Sequence, residues 1–189
     1  AGAGLVHEEF HAESFGRRDG ELGMAQLGGN LPAKDKKTPA RYQHLAKDNI
    51  TVVPLADDAG HARIIAGRFG NTDGAAETFT ELNVWDIVLN SGASADLDVP
   101  AGHNLMLVVL RGEVRINGGQ SVQASQMATF ERESGSVKVE AVGGEAKILL
   151  LSGVPIDEPV VGYGPFVMNT EAEIAEVMNE FRSGKFGAV

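Results

Sequence analysis

The chain has 189 residues, 43% of them apolar, a formal charge of −10 and no cysteine. That length allows one large domain or two small ones with a substantial core; the acidity disfavours unaided binding to a phosphate backbone, and the missing cysteine excludes disulfides, thiolate metal sites and a cysteine nucleophile. No apolar run approaches the roughly 18 residues of a membrane span and no signal peptide is evident, so neither a membrane nor a nucleic acid is an expected partner and the cytoplasm is the expected compartment.

In chain order, residues 5–11 and 22–27 read as two strands joined by the polar loop Ala12 to Gly20. Alternation along the first would put His7, Glu9 and His11 on one face and Val6, Glu8 and Phe10 on the other. Two imidazoles with one carboxylate suit Fe(II), Mn(II), Ni(II) or Zn(II); the competing reading is a solvated terminal strand. Because the chain opens on Ala1 and runs straight into this pattern, further residues are expected upstream. Asn30 to Asp48 carries Pro32, Pro39 and the one basic cluster, Lys34, Lys36, Lys37 and Arg41, with little periodicity, and reads as a linker.

From Ile50 onward short apolar runs recur at even spacing: 50–55, 62–69, 84–90, 95–99, 105–110, 113–117, 127–130, 137–141 and 147–151. Turn signals separate them, with Asn117-Gly118 the clearest hairpin. This is the pattern of an antiparallel sandwich or closed barrel. The pattern stops after Leu151, and Pro155, Pro159 and Pro165 mark an extended passage. A helix is then expected from Thr170 to Ser183. Thr170 and Glu173 form its capping box, Ile174, Val177, Met178 and Phe181 form its packed face, and Gly184 ends it.

Pro100-Ala101-Gly102-His103, followed by the run 105–110 and Arg111-Gly112-Glu113-Val114, resembles the first motif of the cupin superfamily. The family's metal ligands would fall on Val99, Ala101 and Leu105, none of which can bind a metal. His103 lies off that register and reads as a turn or rim histidine. The second motif is also degenerate, since residues 124–130 lead into Glu131-Arg132-Glu133 without a histidine. The resemblance therefore implies a barrel without metal.

The tail, Asp157 to Thr170 with Leu149-Leu150-Leu151-Ser152-Gly153 before it and Arg182-Ser183-Gly184-Lys185-Phe186-Gly187 after it, closely resembles the C-terminal signature of the pirins. Asn30 to Lys36 with Thr38 to Gln43 resembles their interdomain segment. The implied fold is all-β, a cupin-type antiparallel barrel (a bicupin remnant) with a C-terminal α-helix. The implied division is 1–31, remnant of an N-terminal barrel carrying the metal-site strand; 32–49, linker; 50–168, C-terminal barrel; and 169–189, helix and tail. Pirins hold a mononuclear non-haem iron through three histidines and a glutamate in the N-terminal barrel. Ala1 to Glu9 resembles the second metal motif of that barrel, so His7 and Glu9 match the third histidine and the glutamate. His11 has no counterpart. The first two histidines, a His-x-His pair, have no match in this chain, and Gly28-Gly29 replaces an aromatic and an apolar residue.

Two classes of function follow from the resemblance. As an enzyme, the complete protein would carry out quercetin 2,3-dioxygenase-type chemistry on a flavonol-like molecule and O2, with Glu9 as the catalytic residue, either ligand or proton acceptor. As an interaction protein, it would be an iron-dependent regulator that binds a transcription factor or metabolic enzyme. With two ligands, Fe(II) is expected to be weak or absent in this chain. Apolar residues Leu5, Phe10, Leu22 and Leu27 suggest self-association through residues 1–31.

Overall fold

The computed structural model describes residues 2–10, 13–17, 20, 23–132 and 135–187. The chain divides into two compact units, residues 43–155 and the paired segments 1–42 and 156–189.

Residues 43–155 form the barrel. Its strands are β1 (Thr51–Pro54), β2 (Gly60–Ala66), β3 (Arg68–Phe69), β4 (Thr72–Asp73), β5 (Leu82–Leu89), β6 (Ser94–Val99), β7 (Asn104–Arg111), β8 (Glu113–Ile116), β9 (Ser121–Gln123), β10 (Met127–Phe130), β11 (Gly135–Ala141) and β12 (Ala146–Gly153). One sheet has the order β1-β2-β5-β12-β7-β10 and the facing sheet β6-β11-β8-β9; every pairing in them is antiparallel. Hydrogen bonding is continuous within each sheet, and apolar side chains join the two.

The core follows from strand alternation. In β5, Trp85, Ile87 and Leu89 point inward and pair with Leu150, Ile148 and Ala146 of β12; all six are essentially fully buried. Leu107 and Val109 of β7 continue that face, while Leu97, Val114 and Val139 close it from the other sheet. Phe69 meets Trp85 edge to face with ring centroids 5.0 Å apart. On the outer face Asp86 accepts from Arg63 Nη1 at 3.1 Å and lies 3.3 Å from Lys147 Nζ. Asn117 and Gly118 both take positive φ, 49° and 68°, in the four-residue connection 117–120 between β8 and β9, where the Gly119 amide donates back to the Ile116 carbonyl at 2.9 Å. The expected run 62–69 is broken at Gly67, where φ is +79° and an added Cβ would lie 2.1 Å from the Leu82 carbonyl oxygen.

The second unit corrects several expectations. Residues 5–10 and 23–27 belong to no strand. Their alternation is real, yet among the described residues no strand pairs with them, and an unpaired strand is not stable in water; Gly23, Gly28 and Gly29 weaken the second further. His11 and Leu22 lie outside the described residues. The loop between the two segments contains a single turn, α1 (Glu13–Gly16). The proline-rich passage after 155 holds a hairpin, β13 (Val161–Tyr163) and β14 (Phe166–Met168), turned by Gly164 at φ +55°. It falls in the same compact unit as segment 1–42.

The helix α2 (Glu171–Arg182) begins at the expected cap: Thr170 Oγ1 accepts from the Glu173 amide, and the Glu173 carboxylate accepts from the Thr170 hydroxyl and the Asn169 amide. Ile174 and Val177 are buried with Met168 and Phe186, and Val6, Val161, Phe166 and Met178 pack around them. Phe181 is the exception on that face. It touches Phe166 and Phe186 but remains 49% exposed, so the ~3–5 kcal/mol attached to a fully buried phenylalanine does not apply to it. No helix among the described residues is long and apolar enough to cross a membrane.

Candidate functional site

Three contacts position the opening segment. Ala3 N donates to Thr38 O at 2.8 Å, Val6 N to Phe186 O at 3.4 Å, and Gly4, at φ +113°, lies against the Phe186 ring. Val6 turns into the small cluster around α2, and its neighbour His7 consequently faces solvent. His7 Nδ1 lies 3.7 Å from Glu9 Oε1, with the two side chains 51% and 60% exposed. The contact places the two side chains on one side of the segment although no sheet forms there. Loss of the predicted strand therefore leaves the pair together. Nδ1 is the nitrogen turned toward the carboxylate, which leaves Nε2 outward. At 3.7 Å the contact is longer than a hydrogen bond, so both the imidazole and the exposed carboxylate keep lone pairs for a metal.

The donor types thus fit a divalent first-row metal such as Fe(II). Their number falls short: among the described residues no three His, Asp or Glu side chains converge. A pair of donors leaves most of a six-coordinate shell to water, so no catalytic step is assigned to His7 and Glu9 alone.

In the barrel, the three motif positions hold wall residues. Leu105 is buried in the core, Val99 is half-buried against it, and Ala101 is exposed in the turn before β7. His103 is not a rim residue. It is 5% exposed, with Nδ1 3.5 Å from Ser152 Oγ and Nε2 3.7 Å from Glu81 Oε1. Ser152 also accepts from Asn83 Nδ2 at 2.9 Å, and Asn83 Oδ1 accepts from the Arg68 amide at 2.9 Å. Asn83, Ser152 and His103 are all buried, and each has a polar partner, which is what burial of polar groups requires. The cluster ties β3, β5 and β12 to the turn before β7.

Lys36 is the residue sequence reading missed. It was expected in an exposed linker and is instead 6% exposed, donating to Asn30 Oδ1 at 2.6 Å and to the Val167 carbonyl at 3.5 Å. The second partner lies 131 residues away, so no local pattern signals it.

Residues 84–187 match the family described as the pirin C-terminal cupin domain. A Pseudomonas aeruginosa protein provisionally named a quercetin 2,3-dioxygenase is 44% identical over 186 residues, covering 98% of this chain and 64% of that protein. A pirin-like protein from Caulobacter vibrioides is 34% identical over 188 residues, 98% of this chain and 65% of its own length. The crystal structure of quercetin 2,3-dioxygenase from Acinetobacter baumannii superposes with a TM-score of 0.80 at 43% identity, covering 84% of this chain and 55% of that one. The chain therefore spans less than two thirds of the length of these relatives.

Proposed function

Because the chain belongs to the pirin family, as its match to that family's C-terminal cupin domain establishes, we propose that it carries part of the iron site and the second barrel of a non-haem iron protein with quercetin 2,3-dioxygenase-type activity. The observation that carries this reading is the exposed His7 and Glu9 pair, 3.7 Å apart. In this reading residues 1–31 are the remnant of a first barrel, both side chains bind Fe(II), and Glu9 is ligand or proton acceptor. The other donors, a His-x-His pair, come from sequence beyond these 189 residues, and the activity is that of the complete protein. Bound iron there would supply open coordination positions for a flavonol-like substrate and O2.

Metal analysis tests this on two proteins: the 189-residue chain, and a version extended upstream by one barrel of about 100 residues. Weak or absent iron is expected in the first and one iron per chain in the second, lost in His7→Ala and Glu9→Gln. Tight iron in the short chain would refute the two-ligand count and implicate His11.

A second reading is favoured by Phe10, Met24 and Leu27, which are 84%, 74% and 51% exposed. Apolar side chains so exposed seek partners. In this reading residues 1–31 bind a second copy of the chain or a protein partner, a transcription factor or metabolic enzyme, as an iron-dependent regulator would. Light scattering should show self-association that the double substitution Phe10→Ser, Leu27→Ser abolishes. Monomeric behaviour of the unsubstituted chain would remove the self-association.

A further inference from the structure

Segments 1–42 and 156–187 enclose a half-open cavity of about 270 Å³, close to the lower end of the roughly 300 to 1,000 Å³ typical of small-molecule sites. Its wall is mostly apolar, with Leu31, Met168 and the rings of Phe166, Phe181 and Phe186, and among the described residues Lys36 is the one ionisable side chain that lines it. The three rings stand 5.9 to 6.3 Å apart at tilted or edge-on angles. These are the separations of rings packed on one another, so together they form one aromatic wall of the cavity.

The ammonium is the unusual member. Both of its acceptors are neutral, one at the 3.5 Å limit, and both belong to residues of the cavity wall. An ammonium has three protons to donate, and a buried cation without a carboxylate is costly. The neighbouring charges are already engaged: Lys37 with Glu176, Lys185 with Glu180, and Glu173 with Thr170 and Asn169. Among the described residues no carboxylate lies within ion-pair distance of Lys36.

We propose that this cavity binds a small carboxylate with a body the size of one aromatic ring, its carboxylate on the Lys36 ammonium and its ring among Phe166, Phe181 and Phe186. A charge-assisted bond from a buried ammonium is about twice as strong as a neutral one, and the aromatic wall supplies the apolar area. Neither His7 nor Glu9 lines the cavity, although Val6 does; the site uses no metal and selects for negative charge at one end of an apolar molecule.

The test uses the whole chain, stripped of metal with a chelator, and three probes of one shape: phenylacetate, 2-phenylethanol and 2-phenylethylamine. Calorimetry and amide chemical shifts read affinity and place. Phenylacetate should bind at least about tenfold more tightly than the alcohol, the amine should not bind, and shifts should centre on Lys36, Val167 and Phe186. Lys36→Met should remove the preference for the acid. Should that variant fail to fold, Leu5→Trp at the 41% exposed Leu5 of the cavity mouth should block all binding by filling space alone. Equal affinity for acid and alcohol, no binding of phenylacetate, shifts elsewhere on the molecule, or undiminished binding by Leu5→Trp would each overturn the proposal.

Discussion

Gly4 lies flat on the ring of Phe186, so close that a Cβ built on it would stand 2.5 Å from Phe186 Cε1. The same glycine has φ +113°, a backbone that side chains with a Cβ rarely adopt. Space and backbone thus both select glycine where the start of the chain crosses its end. Gly4→Ala should cost about 1 to 3 kcal/mol, measured by denaturant unfolding, and should shift the Phe186 ring resonances. A change below about 0.5 kcal/mol, the range of an ordinary surface substitution, would show that the two do not pack this way.

Glu173 carries a pH prediction. The Thr170 hydroxyl, and after it the Asn169 and Thr170 backbone amides, hold its carboxyl below the ordinary value of 4.5. A carboxyl depressed in the folded state adds stability that is present above that value and is lost as the pH falls through the lower folded one. Wild type should therefore lose more stability on acidification below 4.5 than Glu173→Gln, and the two curves should converge at the acid end. Thr170→Ala removes the cap itself and should cost about 1 kcal/mol at neutral pH. Parallel pH curves for wild type and Glu173→Gln would contradict the assignment.

The buried Asn83 holds two partners, Ser152 Oγ and the Arg68 amide. Asn83→Ala leaves both without it and should destabilise the barrel by about 1 to 3 kcal/mol. Ser152→Ala removes one partner and should cost less. Thermal unfolding of the two variants would decide, and a more damaging Ser152→Ala would move the centre of the cluster away from Asn83.

The sequence makes legible what is locally determined. Val137 and Val139 alternate with polar neighbours and occupy a strand; Asn117-Gly118 adopts its positive-φ turn; Thr170 and Glu173 cap their helix. His7 and Glu9 were legible as a pair for the same reason, since spacing by two suffices to bring them together. What failed depended on distant partners. Residues 5–10 have strand alternation but no neighbouring strand, β13 and β14 are three residues each in a proline-rich stretch, and the burial of Lys36 rests on Val167. His103 stands in the turn before β7, as its spacing predicts, but its burial was not legible, because Ser152, 49 residues on, is what makes a buried imidazole tolerable.

The interleaved arrangement of the two units sets an order of events during synthesis. Residues 43–155 are one uninterrupted segment with their own core, whereas residues 1–42 share a unit with residues 156–189. Ala33 N must find Glu158 across 125 positions, and Lys37 must find Glu176 across 139. Closing so long a loop in an unstructured chain carries an entropic penalty that grows with its length, and a collapsed intervening barrel shortens the distance to be searched. During synthesis residues 1–42 would thus leave the ribosome well before the segment they pack with, and mature only after residues 156–187 have followed. Any stop codon that deletes that final stretch would strand them, while leaving the barrel residues intact as a stable and misleadingly native-looking fragment.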